Sequence, residues 1–288
     1  MATGTITNYL SLIKFSHTVF ALPFALIGFL AGAKAMNFEF DPWLILLVLL
    51  CMIFARSAAM AFNRWADREI DAKNSRTVIR EIPAGIISPA SALLFTILNC
   101  MAFIGTTWFI NSICFYLSPV ALAVILGYSY TKRITPLSHV VLGIGLSLAP
   151  IGAYIAVTGE FAVLPILFSV AVVTWVSGFD IIYSLQDEEF DKQQKLFSIP
   201  SVFGTTVSLR ISEVLHLIAS VVLLAVSFYG NYGWIYLSGW VIFTGLLVYQ
   251  HSLVKAGDLS KVNLAFFTTN GIASILLAVF TAADMLFF

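Results

Sequence analysis

The chain has little charge. Of its 288 residues only 10% are Asp, Glu, Lys or Arg, while 60% are hydrophobic. A water-soluble globule needs about twice that charged fraction, so the scarcity excludes one and points to a polytopic membrane protein. Fifteen basic and fifteen acidic residues cancel, so the basic excess that marks a nucleic-acid footprint is missing. No loop between apolar runs exceeds roughly 25 residues, which leaves no room for a soluble domain. Cysteine is scarce as well. Cys51, Cys100 and Cys114 lie in apolar stretches without paired spacing, which excludes a disulfide framework and a zinc site and leaves three small buried hydrophobes.

What the chain has is long apolar runs. They predict about nine spanning helices, near 14–34, 43–66, 90–110, 113–130, 138–157, 162–186, 209–229, 232–253 and 263–286. The first follows Lys14 and ends in small residues, Ala31-Gly32-Ala33, as a cleaved signal would. Its length and the many spans after it favour an uncleaved first helix. Connections at 67–89, 131–137, 187–208 and 254–262 carry Arg68, Lys73, Arg76, Arg80, Lys132, Arg133, Lys192, Lys195, Lys255 and Lys261, against Lys34 alone on the other side. The positive-inside rule then places the N-terminus in the cytoplasm with those loops. The expected fold is an all-α membrane protein, two four-helix halves plus one helix, forming one polytopic domain over residues 1–288.

Two acidic ladders end apolar helices. The first holds Asn63, Asp67 and Asp71; the second holds Asp180, Tyr183, Asp187 and Asp191. Steps of three or four residues put each set on one helical face. Carboxylates stacked this way repel unless a cation lies between them. Oxygen ligands of this kind suit Mg²⁺, which commonly bridges carboxylates to a substrate's phosphates. Two such sets in a membrane protein point to a diphosphate attached to an apolar group.

Asn63-x-x-x-Asp67-x-x-x-Asp71 and Asp180-x-x-Tyr183-x-x-x-Asp187-x-x-x-Asp191 resemble the two signature motifs of the UbiA-type intramembrane prenyltransferases. The flank from Asp67 through Asn74, Arg76, Arg80 and Pro83 to Gly85 is similar too, as are Tyr128-Ser-Tyr-Thr-Lys132-Arg133 and Ser198-Ile-Pro200. Arg64 departs from the pattern, because many members carry an acidic or amide residue there. The resemblance implies Mg²⁺ held by Asp67, Asp71, Asp187 and Asp191, with Asn63 adding an amide oxygen. It also implies that Lys132, Arg133, Arg76, Arg80 and Lys73 grip the phosphate oxygens of an isoprenoid diphosphate. An electron-rich aromatic ring would then attack the allylic carbon as the diphosphate leaves.

Other residues follow from their depth. Asp180 lies about two turns before Asp187, where a carboxylate is costly unless paired or hydrated, so it is expected to orient the site or accept a proton. Tyr183 shares that face and is a candidate donor to the diphosphate. Arg56 lies inside a helix and needs an anionic partner, either a carboxylate on the acceptor or a structural partner such as Asp180. Arg64 is a second candidate for the acceptor carboxylate. His17 is read as a satisfied polar residue rather than a base. Asn263, Asn270 and Asp284 in the last helix are read as packing or interfacial groups.

Helix one and Ser177-Gly-Phe-Asp180-Ile-Ile-Tyr183 look like the 4-hydroxybenzoate polyprenyltransferase-like branch. The implied reaction is Mg²⁺-dependent transfer of a polyprenyl group to a hydroxylated aromatic carboxylic acid in quinone synthesis, in a bacterial-type inner membrane. A naphthoate acceptor on a menaquinone route is the near alternative. A transporter with acidic ion sites is the alternative of another class; its ions usually bind near the bilayer midplane, whereas these carboxylates cluster toward one interface.

Overall fold

A computed structural model describes residues 2–13 and 20–287, with side chains from residue 7 onward. His17 lies outside the described residues. In chain order the helices are α1 (Ala2–Leu12), α2 (Leu22–Ala35), α3 (Trp43–Ala66), α4 (Arg68–Asp71), α5 (Pro89–Trp108), α6 (Ser112–Thr131), α7 (Ser138–Thr158) and α8 (Val163–Ser184). A 3₁₀ turn, Leu185–Asp187, leads to α9 (Glu188–Gln193), α10 (Ile199–Tyr229) and α11 (Trp234–Leu253). A π-helical turn, Leu264–Thr269, opens α12 (Asn270–Phe287). No strand occurs among the described residues.

Local chemistry explains the element boundaries. Ser88 caps α5 by accepting from the Ser91 N–H at 3.1 Å, with Pro89 in the first turn. Ser198 and Ser201 form a reciprocal capping box at the start of α10, with Pro200 just inside it. α7 stops at Gly159, whose φ of 71° is left-handed and whose N–H closes on the Ile155 carbonyl.

The described residues fall into two compact units. Those of Met1–Thr18 with Pro42–Tyr130 form one, and those of Val19–Asp41 with Thr131–Phe288 form the other. The first packs α3 against α5 around Leu12, Ala61, Ile82, Ile87 and Ala92. The second packs α8 between α7 and α10 and sets α2 on α7, around Phe24, Phe168, Trp175, Phe179, Tyr236 and Phe243. Its helices approach closely where side chains are small. A Cβ on Gly143 of α7 would lie 2.6 Å from the Val173 carbonyl oxygen of α8. Small residues at such crossings are how helices associate where lipid removes the hydrophobic drive.

Among the described residues seven helices are long and apolar enough to cross a membrane. They correspond to seven of the nine expected runs. The eighth, 232–253, is the helix α11, but it is not among the seven. The ninth, 14–34, is represented by the 14-residue α2. Two features escaped the apolar pattern. α1 is a short helix ahead of the first run. α10 begins ten residues earlier than expected and bends at Gly204 (φ 76°, ψ 166°). The three cysteines are free, as their unpaired spacing implied, and half-buried rather than buried.

Candidate active site

The first ladder lies in the first unit and is not one continuous helix. α3 ends at Ala66, Asp67 takes a non-helical conformation (φ −95°, ψ 7°), and the single turn α4 carries Asp71. The four-residue step survives the break because the Asp71 N–H bonds the Asp67 carbonyl at 2.7 Å. Asn63 Nδ2 donates to Asp67 Oδ2 at 3.1 Å. Asp71 is buried, and Arg80 Nη1 donates to both of its carboxylate oxygens, at 2.7 and 2.8 Å. The loop that brings Arg80 back is tied down by Thr77, whose hydroxyl donates to the Asp71 carbonyl at 3.0 Å. An Asx turn at Asn74 fixes the start of Arg76, whose N–H bonds Asn74 Oδ1 at 2.9 Å. Arg76 is half-buried and Lys73 exposed. Arg56 and Arg64 lie about two turns apart along α3, half-buried and buried respectively.

The second ladder lies in the second unit and is also stepped. Asp180 and Tyr183 ride on α8, Asp187 closes the 3₁₀ turn, and Asp191 sits on α9. Asp187 and Asp191 are buried. Lys132 Nζ stands 3.6 Å from Asp191 Oδ2, an ion-pair distance too long for a hydrogen bond, and this buried oxygen makes none. The Lys132 backbone is held to the same loop, because its carbonyl accepts from the Phe197 N–H at 2.7 Å. The Tyr183 ring stacks on Phe266 with centroids 4.2 Å apart. Phe266 and Phe267 belong to the π-helical turn, which Asn270 closes by donating to the Ala265 and Phe266 carbonyls while accepting from Trp175 Nε1. Asn270 is thus a packing residue, as expected for the last helix.

Asp180 has a partner that spacing did not suggest. His139 Nδ1 lies 2.7 Å from Asp180 Oδ2, and the imidazole is fully buried. The two are 41 residues apart on α7 and α8, so no periodicity links them. Only the rule that an ionisable residue inside a span is suspect could have flagged His139. A second unforeseen group is Glu81, buried in the α4–α5 connection and accepting from the Ser11 hydroxyl at 2.5 Å.

Among the described residues no three His, Cys, Asp or Glu side chains come together as a ready-made metal cage. The donor set still suits a hard cation. Mg²⁺ seldom has an all-protein cage and is usually bound by one or two carboxylates together with waters and substrate phosphates. The buried, hydrogen-bond-free Oδ2 of Asp191 is an oxygen of that kind.

Comparison with known proteins identifies the family. The chain is 30% identical over 256 residues to the 4-hydroxybenzoate octaprenyltransferase of Tolumonas auensis, covering 86% of this chain and 85% of that protein. It is 32% identical over 212 residues to the 4-hydroxybenzoate octaprenyltransferase of Alcanivorax borkumensis, covering 73% and 72%. Among solved structures, the apo UbiA homologue of Aeropyrum pernix K1 superposes with a TM-score of 0.84 at 30% identity, over 93% of this chain and 98% of that one. A UbiA homologue of Archaeoglobus fulgidus bound to DMAPP and Mg²⁺ shares the fold, with a TM-score of 0.73 at 20% identity over 98% and 100%. Residues 21–272 match the UbiA prenyltransferase family, so the chain belongs to that family and is an integral-membrane prenyltransferase.

Proposed function

We propose that this prenyltransferase moves a polyprenyl group from a polyprenyl diphosphate to a hydroxylated aromatic carboxylic acid of the 4-hydroxybenzoate type, with Mg²⁺, in quinone synthesis. The observation that carries the reading is Asp191. Its buried Oδ2 has no hydrogen bond and faces Lys132 at 3.6 Å, which places an open carboxylate oxygen beside a cation. Such a pair suits an anionic leaving group with its counter-ion.

In this reading Asp67, Asp71, Asp187 and Asp191, with the Asn63 amide oxygen, hold the Mg²⁺. When bound, the ion acts as a Lewis acid that neutralises charge growing on the leaving diphosphate. Lys132, Arg133, Arg76, Arg80 and Lys73 grip the phosphate oxygens, and Tyr183 donates to them. The allylic C–O bond breaks and its electron pair leaves with the diphosphate. A ring carbon of the acceptor supplies the pair for the new C–C bond. Asp180 takes the ring proton, and the electrons of that C–H bond restore aromaticity. Arg56 meets the acceptor carboxylate, with Arg64 as the second cation for it. The proposed topology puts the N-terminus and both ladders on the cytoplasmic side of a bacterial-type inner membrane, following the Lys and Arg distribution.

The test uses purified protein in lipid with Mg²⁺, a polyprenyl diphosphate, and either 4-hydroxybenzoate or a dihydroxynaphthoate, with product read by mass spectrometry. Prenylated hydroxybenzoate, abolished by EDTA and by Asp191→Asn and restored to the wild type by Mg²⁺, is the expected result. Activity indifferent to chelation would remove the metal from the reading. Product from the naphthoate alone would move the acceptor to the bicyclic acids.

A further inference from the structure

Asp180 is held by a hydrogen-bond chain that the proposed mechanism does not use. His139, on the first turn of α7, is fully buried. The Ile199 N–H donates to its Nε2 at 3.4 Å. Ile199 is the first residue of α10, so this N–H is one of the donors that a helix start leaves without an intrahelical acceptor. A ring nitrogen that accepts a hydrogen bond carries no proton. The imidazole is therefore neutral with its proton on Nδ1, and Nδ1 donates to Asp180 Oδ2 at 2.7 Å. The backbone around the pair is fixed too. The Ser177 hydroxyl, one turn before Asp180, donates to the His139 carbonyl at 3.2 Å and to the Val173 carbonyl at 2.6 Å. One turn after His139, Gly143 lets α7 come within the distance at which a Cβ would strike Val173 O and Ser177 Oγ.

We propose that His139 is a positioning residue for Asp180: the neutral imidazole, its tautomer set by the Ile199 N–H, occupies Oδ2 and leaves Oδ1 to meet the acceptor ring. The inference rests on the role given to Asp180 above. A carboxylate fixed by one strong donor presents its other oxygen in one direction, which is what a short-range proton transfer needs. The chain also links two parts of the site. The segment that supplies the Ile199 N–H supplies, two residues earlier, the Phe197 N–H that holds the Lys132 carbonyl.

The experiment compares wild type, His139→Leu, His139→Asn, Asp180→Asn and the double variant His139→Leu/Asp180→Asn in lipid, measuring kcat and both KM values for ring prenylation. Thermal unfolding of each confirms that it is folded. His139→Leu is expected to lower kcat roughly 10- to 100-fold, the range for losing a hydrogen bond to a charged group, with the donor KM unchanged. His139→Asn, whose Nδ2 stands near the place of Nδ1, restores most of it. The double variant is no slower than Asp180→Asn, because His139 acts only through that carboxylate. Losses that multiply in the double variant, or an Asn variant as slow as Leu, would show a merely structural role and overturn the proposal. Full activity in Asp180→Asn would remove the role of Asp180 and the proposal with it. A wild type that prenylates no hydroxylated aromatic acid would overturn the proposed function itself, a different pattern from active wild type with multiplying losses.

Discussion

Removing Arg80 should have opposite effects on two ligands. Arg80 Nη1 reaches both oxygens of Asp71, at 2.7 and 2.8 Å, with the aspartate side chain 7% exposed and the arginine 25%. At an effective dielectric of about 20, Coulomb's law gives roughly 6 kcal/mol of attraction at this distance. Desolvation of the pair offsets most of it, and a charge-assisted hydrogen bond of this kind nets about 2 kcal/mol. In the donor-free protein a divalent cation must compete with that pairing for Asp71. Arg80→Gln releases the carboxylate and removes a nearby positive charge, so cation binding should tighten, by up to about 30-fold at ~1.4 kcal/mol per decade. With substrate present the sign reverses, because Arg80 is then proposed to grip the diphosphate, and the donor KM should rise about 10-fold for one lost phosphate contact. Mn²⁺ binding to donor-free protein in nanodiscs, followed by electron paramagnetic resonance, reads the first effect. Steady-state kinetics at saturating acceptor read the second. Cation binding that is unchanged or weaker in Arg80→Gln would refute the competition and leave Arg80 as a structural partner of Asp71.

Two further predictions concern residues away from that pair. Asp284 is 1% exposed and accepts from the Gly233 N–H at 3.0 and 3.1 Å and from the Tyr236 N–H at 2.9 Å, so a side chain of α12 caps the start of α11. Asp284→Ala should cost roughly 2–4 kcal/mol, seen as a lower thermal midpoint in detergent, and Asp284→Asn distinctly less because its Oδ1 still accepts. Equal midpoints for the two variants would contradict the capping role. Arg56→Ala should raise the acceptor KM more than the donor KM if Arg56 meets the acceptor carboxylate, and equal rises would assign it to structure.

How much of this was legible depends on the range of each interaction. Seven of the nine expected spans were readable from the length of their apolar runs, and the ladders because a helix imposes its period on neighbours three and four residues apart. That same logic overstated the helix itself. Asp67 and the 3₁₀ turn Leu185–Asp187 break each ladder into steps, and in the first ladder the Asp71 N–H to Asp67 O bond keeps the four-residue step. Arg80 was expected to face phosphate, and it stands on Asp71 nine residues back through a loop whose path no periodicity describes. His139 was missed outright, since its tie to Asp180 is made by two helices approaching at Gly143 and by the first N–H of a third. Read forward, the rule is that a costly charge inside a span calls for a partner somewhere in the fold. Asp180 was marked by its cost; the residue that meets the cost comes from packing, and it is where the positioning of the reaction is to be sought.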